Sequence, residues 1–258
     1  MSWDSAQYLK FERERTQPSI DLIGRIALGD PETILDVGCG PGNSTERLKR
    51  RYPNAAVYGV DNSEEMLSAA REKYPEIRFG YCDASRDLGK LGESYDIVFS
   101  NACIQWIPDH PRLLREMTRL LKSGGVLAVQ VPMNYDEPIH RIIGEVIRSE
   151  KWRGRLGEPR IFHTLSSEAY YDLLSEIAPD FSMWETVYFH RMKSHGDILE
   201  WYGGTGLRPY LDRLSPEEGE DFKADLLREV KKAYPKQANG EIIFRFPRLF
   251  FTAVKGDI

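Results

Sequence analysis

The sequence predicts an α/β fold built on an open, mostly parallel β-sheet, and three observations favour it. The first half of the chain alternates short apolar runs with segments of helical period, which is the rhythm of strand–helix–strand units. A glycine-rich turn follows the first apolar run and precedes a helix. The 258 residues also suffice for one large α/β domain, or for a core with a sizeable insertion.

The predicted elements alternate as far as Pro132. Residues 122–125 are expected to end the last helix of this part, because glycine is favoured directly after a helix. Strands are predicted at residues 34–37, 56–60, 77–81, 95–100 and 126–131. Helices are predicted at residues 44–52, 63–74 and 111–121, each between two of these strands.

The pattern changes after Pro132. The last apolar run alternates in part with polar positions, which is typical of an antiparallel edge strand. We therefore expect one structural domain, in which residues 1–132 form the ligand-binding core with an N-terminal lid. Residues 133–258 would add helices that cap the substrate and strands that complete the sheet. Within this second part, residues 133–160 are charged, helices are predicted at 166–177, 194–203 and 215–233, and strands are predicted at 183–191 and 242–255.

Composition disfavours several functions. Charged residues make up 29% of the chain and the net charge is −5, so bulk electrostatics disfavour a nucleic-acid partner, although a local basic patch is compatible with them. The N-terminal residues are polar and no apolar run is long enough to span a membrane, so we expect a cytoplasmic protein without a membrane partner. Cys39, Cys82 and Cys103 lie far apart and are expected to be reduced thiols. We expect no metal, and a monomer or weak homodimer.

The most informative segment is ILDVGCGPGNST, at residues 34–45. Glycine has no Cβ, so alternating glycines let the backbone turn tightly and approach a ligand closely. The helix that follows begins near Asn43 or Ser44, and its first N–H groups and partial positive charge face the same spot. This arrangement is typical of a nucleotide-binding turn, although an ordinary strand-to-helix turn is the simpler alternative.

The spacing of the glycines distinguishes two classes of nucleotide site. Dinucleotide sites have G-x-G-x-x-G, whereas Gly38, Gly40 and Gly42 are spaced as G-x-G-x-G. Asp36 precedes them, and a carboxylate there is unfavourable beside a pyrophosphate but favourable beside a cation or an ammonium group. Asp61 ends the second apolar run, where an acid can accept from both hydroxyls of a ribose. The spacing thus disfavours an NAD-dependent oxidoreductase.

The glycine pattern with its two acids resembles the S-adenosylmethionine site of class I methyltransferases. The resemblance implies a Rossmann-like sheet and S-adenosylmethionine as cofactor. Asp36 and the glycines would face the methionine part and the ribose, and Asp61 would accept from the ribose hydroxyls. Asn62 and Met66 would cover the adenine. Asp83 is placed to accept from the exocyclic amine of adenine, although an acid at a strand end is as often a turn residue.

Further candidates lie at the fourth strand and at the N terminus. Asn101 follows that strand, at the edge where parallel sheets bind their ligands. Gln105 and Trp106 come next, and Trp106 would pack over the adenine or wall the site unless it is a core residue. Tyr8 and Arg15 are seven residues apart and would share a helical face, either as a lid over the cofactor or as part of an ordinary amphipathic helix.

The substrate candidates lie in the second half. Trp201 and Tyr202 precede a glycine-rich segment that contains Arg208, and Arg248 lies among apolar residues on a predicted strand. An arginine in such a setting is either a surface charge or a two-pronged donor for a carboxylate. Two such arginines together with His163 suggest a pocket for a small polyanion.

Over nearly its whole length the chain resembles the trans-aconitate methyltransferases. The segments TGLRP at residues 205–209 and FPRLF at 246–250 are the more specific marks, because the early motifs occur in many methyltransferases. The resemblance implies methyl transfer from S-adenosylmethionine to one carboxylate of trans-aconitate, a small tricarboxylate. The other matching stretches are residues 3–15, 36–45, 101–110, 125–132 and 188–194.

The expected mechanism is direct in-line transfer to a carboxylate oxygen. A carboxylate has a reference pKa near 4, so it is ionised at neutral pH and needs no general base. We therefore predict no catalytic residue in the sense of an acid or base, and positioning by Arg208, Arg248, Trp201 and Tyr202. A methyltransferase for another small-molecule acid, or for a phenol, an amine or a lipid carbon, is one alternative. A non-catalytic protein that binds S-adenosylmethionine is another.

Overall fold

The computed structural model describes residues 11–92, 94–203 and 206–256. Within these ranges the chain forms two compact units. Unit 1 contains residues 11–15, 133–161 and 187–247, and unit 2 contains residues 16–132, 162–186 and 248–256. Residue 8, for which a cofactor contact is predicted, lies outside the described residues.

The described residues form a seven-stranded sheet of order β3-β2-β1-β4-β5-β7-β6, which confirms the predicted Rossmann-like α/β class. Strands β1 to β5 are parallel where they pair, and β7 is antiparallel to β5. The predicted antiparallel orientation of the last strand is confirmed, although β6 rather than β7 is the outermost strand on that side of the sheet. The strands are β1 (Thr33–Val37), β2 (Ala56–Asp61), β3 (Arg78–Tyr81), β4 (Tyr95–Asn101), β5 (Leu121–Pro132), β6 (Asp180–Met192) and β7 (Ile242–Val254).

Helices flank these strands in the chain, and several begin at an N-cap visible in the sequence. The side chains of Ser63, Ser166 and Ser215 each accept a hydrogen bond from a backbone N–H of the first turn. The helices are α1 (Glu12–Ile23), α2 (Asn43–Arg51), α3 (Glu64–Lys73), α4 (His110–Arg119), α5 (Pro138–Arg148), α6 (Ser167–Ile177), α7 (His195–Gly203), α8 (Arg208–Leu211) and α9 (Pro216–Ala233), with 3₁₀ turns at Leu88–Lys90 and Ile104–Trp106.

The start of β5 differs from the prediction. Helix α4 ends at Arg119, and residues 121–125, predicted as helix end and stop signal, already belong to the strand. The pairing of β4 with β5 shifts between Tyr95 and Ile97, so the extra residues form an irregularity in the ladder. A Cβ at Gly125 would lie 2.9 Å from the carbonyl oxygen of Lys122. The glycine therefore serves close backbone packing within the strand rather than helix termination.

Helix α5 differs from the prediction, which describes residues 133–160 only as charged. Its apolar residues recur at helical spacing and are buried in the apolar core of unit 1. Unit 2 has its own core, in which β1, β4 and β5 contribute fully buried side chains such as Leu35, Phe99 and Val129. Among the described residues, no helix has both the length and the apolar character that crossing a membrane requires.

Candidate active site

The glycine loop between β1 and α2 is closely packed at both ends and open in the middle. Gly38 has a φ of +75°, and a Cβ there would lie 2.0 Å from the Sγ of Cys103. Gly42 has a φ of +84°, and its Cβ would lie 2.9 Å from a ring carbon of Tyr74. By contrast, apart from Gly40 and its two neighbours in the chain, no described residue has an atom within 4 Å of the position that a Cβ of Gly40 would take. A ligand can therefore approach the backbone most closely at Gly40.

Asp36, on β1, is fully buried and only partly satisfied. The hydroxyls of Ser44 and Thr45, in the first turn of α2, each donate to its Oδ2 at 2.7 Å. No group of the described residues donates to its Oδ1. Burial raises the pKa of this carboxyl to about 6, against the two hydroxyl hydrogen bonds that lower it. The two hydroxyl partners were not predicted, although their place in the first helical turn after the glycines is a signal that could have found them.

Asp61 supports the glycine loop through backbone hydrogen bonds. Its Oδ2 accepts from the N–H of Gly40 at 2.9 Å, and its Oδ1 accepts from the N–H of Ser63 at 2.9 Å. Asn62 is exposed, and Met66 is half-buried in the first turn of α3. The side chain of Asp61 thus joins the loop to the start of α3. The predicted contacts of these residues with ribose and adenine stay predictions.

Asp83 lies in a turn after β3. Its Oδ1 accepts from the backbone N–H of Ser85 at 3.0 Å and from the Ser85 hydroxyl at 2.6 Å, and these bonds lower the pKa of Asp83. Its Oδ2 lies 3.4 Å from Nε of Arg86. These contacts are those of a turn residue, and the predicted contact with adenine stays a prediction.

Two amide side chains lie at the end of β4 and in the turn that follows. Asn101 ends the strand, and its Oδ1 is buried with no hydrogen-bond partner in the described chain. Gln105 is buried, and its Nε2 donates to the carbonyl oxygen of Ala102 at 2.7 Å. Its Oε1 has no donor among the described residues. Trp106 is half-exposed, and its ring packs against that of Phe162 with centroids 4.9 Å apart.

His110 anchors the turn that carries Gln105 and Trp106. Its Nε2 lies 2.9 Å from the carbonyl oxygen of Ile104, and its Nδ1 lies 2.6 Å from the hydroxyl of Tyr170. A carbonyl oxygen only accepts, so Nε2 carries the proton and the Tyr170 hydroxyl donates to Nδ1. Burial lowers the pKa of His110, which favours this neutral form.

Arg248 lies on β7 with only 4% of its surface exposed. Its Nη1 donates to Oε1 of Gln130, on the neighbouring strand β5, at 3.1 Å. Gln130 is fully buried, and its backbone is in register with that of Asn101 on β4. The end of β4, the end of β5 and the facing part of β7 therefore carry three polar side chains in a row. Gln130 was not predicted, since a lone glutamine in an apolar strand gives no signal of its partner.

In unit 1, Arg15 and Trp201 are brought together. Nη2 of Arg15 donates to the backbone carbonyl of Trp201 at 2.8 Å, and the guanidinium lies 5.2 Å from the centroid of the Trp201 ring. Trp201 is buried and also packs against Phe11 and His190, with centroids 5.2 Å and 4.6 Å away. These contacts belong to a packed aromatic cluster, and the predicted ligand contacts of Arg15 and Trp201 stay predictions.

Tyr202 and Arg208, the other unit 1 candidates, differ in burial. Tyr202 is buried, and its hydroxyl accepts from Nδ2 of Asn134 at 2.8 Å and lies 2.9 Å from Nε2 of His140. Burial lowers the pKa of His140 to about 4, so the ring is neutral at neutral pH. Arg208 begins α8 with 38% of its side chain exposed, and its Nε lies 3.7 Å from Oδ2 of Asp212.

The described residues show neither a metal cluster nor an activated thiol. No group of three or more histidine, cysteine, aspartate or glutamate side chains among them is arranged to hold a metal ion. Burial raises the pKa of the Cys103 thiol to about 12 and also raises that of Cys39, which lies between the loop glycines. Neither thiol is a nucleophile at neutral pH.

Comparison with solved structures places the fold in one class. The chain resembles the YcgJ protein of Bacillus subtilis, with a TM-score of 0.59 at 18% identity, over 94% of this chain and all of that one. It also resembles a phosphoethanolamine N-methyltransferase of Haemonchus contortus solved with S-adenosylhomocysteine, with a TM-score of 0.57 at 18% identity, over 93% of this chain and 53% of that one. A family model described as a methyltransferase domain matches residues 34–125. The fold is therefore that of the class I methyltransferases.

Comparison with curated proteins identifies the family. A trans-aconitate 2-methyltransferase of Rhodopseudomonas palustris (strain BisB18) is 45% identical, over 98% of this chain and 99% of the relative. Trans-aconitate 2-methyltransferases of Azoarcus sp. (strain BH72) and Enterobacter sp. (strain 638) are both 44% identical over at least 97% of each chain. The chain belongs to the trans-aconitate 2-methyltransferase family, as its sequence predicts.

Proposed function

We propose that this protein methylates one carboxylate of trans-aconitate with S-adenosylmethionine as donor, giving the monomethyl ester and S-adenosylhomocysteine. The relatives named for this reaction support the substrate. The observation that carries the proposal is the buried Arg248 at the carboxyl ends of the parallel strands of unit 2, on the sheet that also carries the glycine loop. Parallel α/β sheets bind their ligands at this edge.

The residues around the glycine loop fit S-adenosylmethionine by their hydrogen-bonding polarity. Among the described residues, the buried side-chain atoms without a hydrogen-bond partner on β1, at the end of β4 and in the turn after β4 are all acceptors. We call these atoms the acceptor row: Asp36 Oδ1, Asn101 Oδ1 and Gln105 Oε1. An ammonium group, ribose hydroxyls and an adenine amine are donors that such atoms can accept from. The open space at Gly40 gives the same ligand an approach to the backbone.

The residues at β5 and β7 have the opposite polarity and fit the acid. We call Gln130 and Arg248 the donor pair. A guanidinium is always charged and offers a planar fork that matches a carboxylate. Its burial strengthens the attraction, because an ion pair out of water is screened less.

No residue needs to move a proton in this reaction. S-adenosylmethionine, when bound, supplies a methyl group on a positively charged sulfur, and the proposed transfer to the carboxylate oxygen is direct and in-line. The acid is ionised at neutral pH, so the side chains only bind and orient the two molecules. Positioning of this kind supplies about 7–11 kcal/mol in favourable cases. Arg248 would hold a carboxylate that does not react, since a donor on the attacking oxygen would weaken it as a nucleophile.

Transfer of labelled methyl from S-adenosylmethionine to a panel of di- and tricarboxylates tests the proposal. We expect trans-aconitate to be labelled most efficiently, and the label to be released by mild base as expected for an ester. Labelling of a different acid would overturn the substrate but retain carboxyl methylation. Binding of S-adenosylmethionine with no acid labelled would overturn the enzymatic function.

The unit 1 candidates form a separate part of the proposal. We propose that Trp201, Tyr202 and Arg208 contribute to binding the acid and that Arg15 contributes to binding the cofactor. For Arg208, the resemblance of its segment to the family supports the assignment. Substitution of each by alanine, with separate measurement of the KM for trans-aconitate and the Kd for S-adenosylmethionine, tests these assignments. A change in protein stability without a change in either constant would overturn them.

A further inference from the structure

Gln130 is the member of the donor pair that lies next to the acceptor row. It is fully buried on β5, its backbone pairs with that of Asn101 on β4, and the backbone of Phe250 on β7 pairs with it from the other side. Its Oε1 accepts from Nη1 of Arg248 at 3.1 Å. The amide is therefore held from one side by a charged donor.

This contact decides which way the amide points. A guanidinium has no acceptor, so the atom that faces Arg248 must be the oxygen of the Gln130 amide. The nitrogen is then directed away from Arg248, and no group of the described residues accepts from Nε2. Buried amide groups in proteins almost always have hydrogen-bond partners, so an unmet one suggests a ligand contact.

We propose that Gln130 is a specificity-determining residue that binds a carboxylate of the substrate together with Arg248. Its Nε2–H donates to one carboxylate oxygen, while its Oε1 holds the guanidinium that binds the same carboxylate. This inference rests on the proposed function, because it assigns a contact within the same site. It adds a second hydrogen-bond donor to the site that binds the acid, and it explains why residue 130 is a glutamine.

The charge of the donor pair explains why this position suits glutamine. A glutamate of the same length would also accept from Arg248, but it would neutralise the guanidinium and repel an anionic substrate. A neutral amide adds no negative charge beside Arg248 and contributes a donor. Both side chains have at most 4% of their surface exposed, so water screens their interaction with an anion only weakly.

Two substitutions and one matched control test the inference. Gln130→Glu removes the donor, keeps an acceptor for Arg248 and adds a negative charge. Gln130→Met keeps the length of the side chain and removes both hydrogen-bonding groups. Gln237→Glu makes the same chemical change at an exposed glutamine of unit 1. Each protein is assayed for its KM and kcat with trans-aconitate at saturating S-adenosylmethionine, for the Kd of S-adenosylmethionine, and for thermal stability.

We expect Gln130→Glu to raise the KM for trans-aconitate by about a hundredfold and Gln130→Met by about tenfold, in line with the loss of hydrogen bonds to a charged group. The Kd for S-adenosylmethionine should change by less than about threefold, and Gln237→Glu should behave like the wild type. A KM unchanged in both variants would overturn the inference and leave the proposed function intact. An equal loss of cofactor affinity would also overturn it, because Gln130 would then serve the fold. A wild-type protein that labels no polycarboxylate would overturn both.

Discussion

The two halves of one sheet edge in unit 2 differ in hydrogen-bonding polarity. At β1 and β4, the buried polar atoms without a described partner are the acceptors of the acceptor row. On β5, Nε2 of Gln130 is also buried without a partner among the described residues, but it is a donor. The neighbouring strand β7 carries the guanidinium of Arg248. β4 and β5 are neighbouring parallel strands with Asn101 and Gln130 in register, so the side chains set the difference in polarity between them.

This difference matches the charges that methyl transfer has to bring together. The proposed methyl donor carries a positively charged sulfur and an ammonium group, whereas the proposed acceptor is a polyanion. A site of one polarity would bind one of them and repel the other. Adjacent strands with opposite polarity can hold both, and the separation can be tested because a change in one half should affect only one ligand.

The largest effect is expected from Arg248→Met. Loss of the buried guanidinium should raise the KM for trans-aconitate by at least about a hundredfold, because hydrogen bonds to charged groups contribute about 1.5–3 kcal/mol each and a fork makes two. The Kd for S-adenosylmethionine should stay within about threefold of the wild type. Arg248→Lys is the control that keeps the charge and loses the fork, and it should recover part of the affinity. A parallel loss of both ligands in Arg248→Met would show that the halves are not independent.

Asp36→Asn is expected to have the converse effect. The amide oxygen can still accept from Ser44 and Thr45, but the charge that would face the cofactor is lost, so the Kd for S-adenosylmethionine should rise by at least about tenfold. The KM for trans-aconitate at saturating cofactor should change little. At pH 7.5 the ligand-free variant should be at least as stable as the wild type, since it no longer buries a charge. Isothermal titration and urea unfolding measure the two quantities, and a destabilised variant with normal cofactor affinity would contradict the assignment.

The pH dependence of cofactor binding should report Asp36. Its folded-state pKa is raised from 3.8 to about 6, so it is ionised above that pH and protonated below it. A cationic ligand prefers the ionised form, so the Kd for S-adenosylmethionine should be constant above about pH 7 and rise below about pH 6. The stability of the ligand-free protein should depend on pH in the opposite direction, because burial penalises the ionised form of Asp36. Its contribution to the free energy of unfolding should increase as the pH falls from about 6 towards 4. Asp36→Asn serves as the control, and a profile identical to that of the wild type would assign the dependence to another group.

Tyr170→Phe is expected to have a smaller effect, through the turn that carries Gln105. It leaves Nδ1 of His110 without its hydroxyl donor, so the free energy of unfolding should fall by about 1–2 kcal/mol. The Kd for S-adenosylmethionine should rise by only a few-fold, because Gln105 is displaced rather than removed. A double-mutant cycle with His110→Phe should show coupling between the two residues. Simple additivity would mean that the hydrogen bond does not hold the turn.

The smallest effect is expected from Arg208→Ala. The sequence predicts that Arg208 and Arg248 both bind the acid. The side chain of Arg208 is 38% exposed, however, and exposed ion pairs contribute only about 0–1 kcal/mol. The KM for trans-aconitate should therefore rise by less than about fivefold, with stability unchanged. An effect as large as that of Arg248→Met would show that both arginines bind the acid equally.

Much of the fold could be predicted because its signals are local. Serine caps, glycine spacing and apolar runs located most strand and helix starts to within a few residues. Helix α5 was missed because its charged residues obscured a buried apolar stripe. The start of β5 was missed because Gly125 packs against the backbone of β4, a contact that no local rule contains.

The sequence by itself determined the α/β class, the glycine loop with Asp36 and Asp61, and the family. The class and the loop depend on residues close together in the chain, where backbone conformation and charge act locally. The family depends on short segments distributed along nearly the whole chain. Only the tertiary structure decided that Arg248 is buried against Gln130, that Arg208 lies near Asp212 with its side chain partly exposed, and that Asp36 is held by two hydroxyls. Burial and hydrogen-bond partners depend on which strands become neighbours, and β5 and β7 pair across more than one hundred residues of chain.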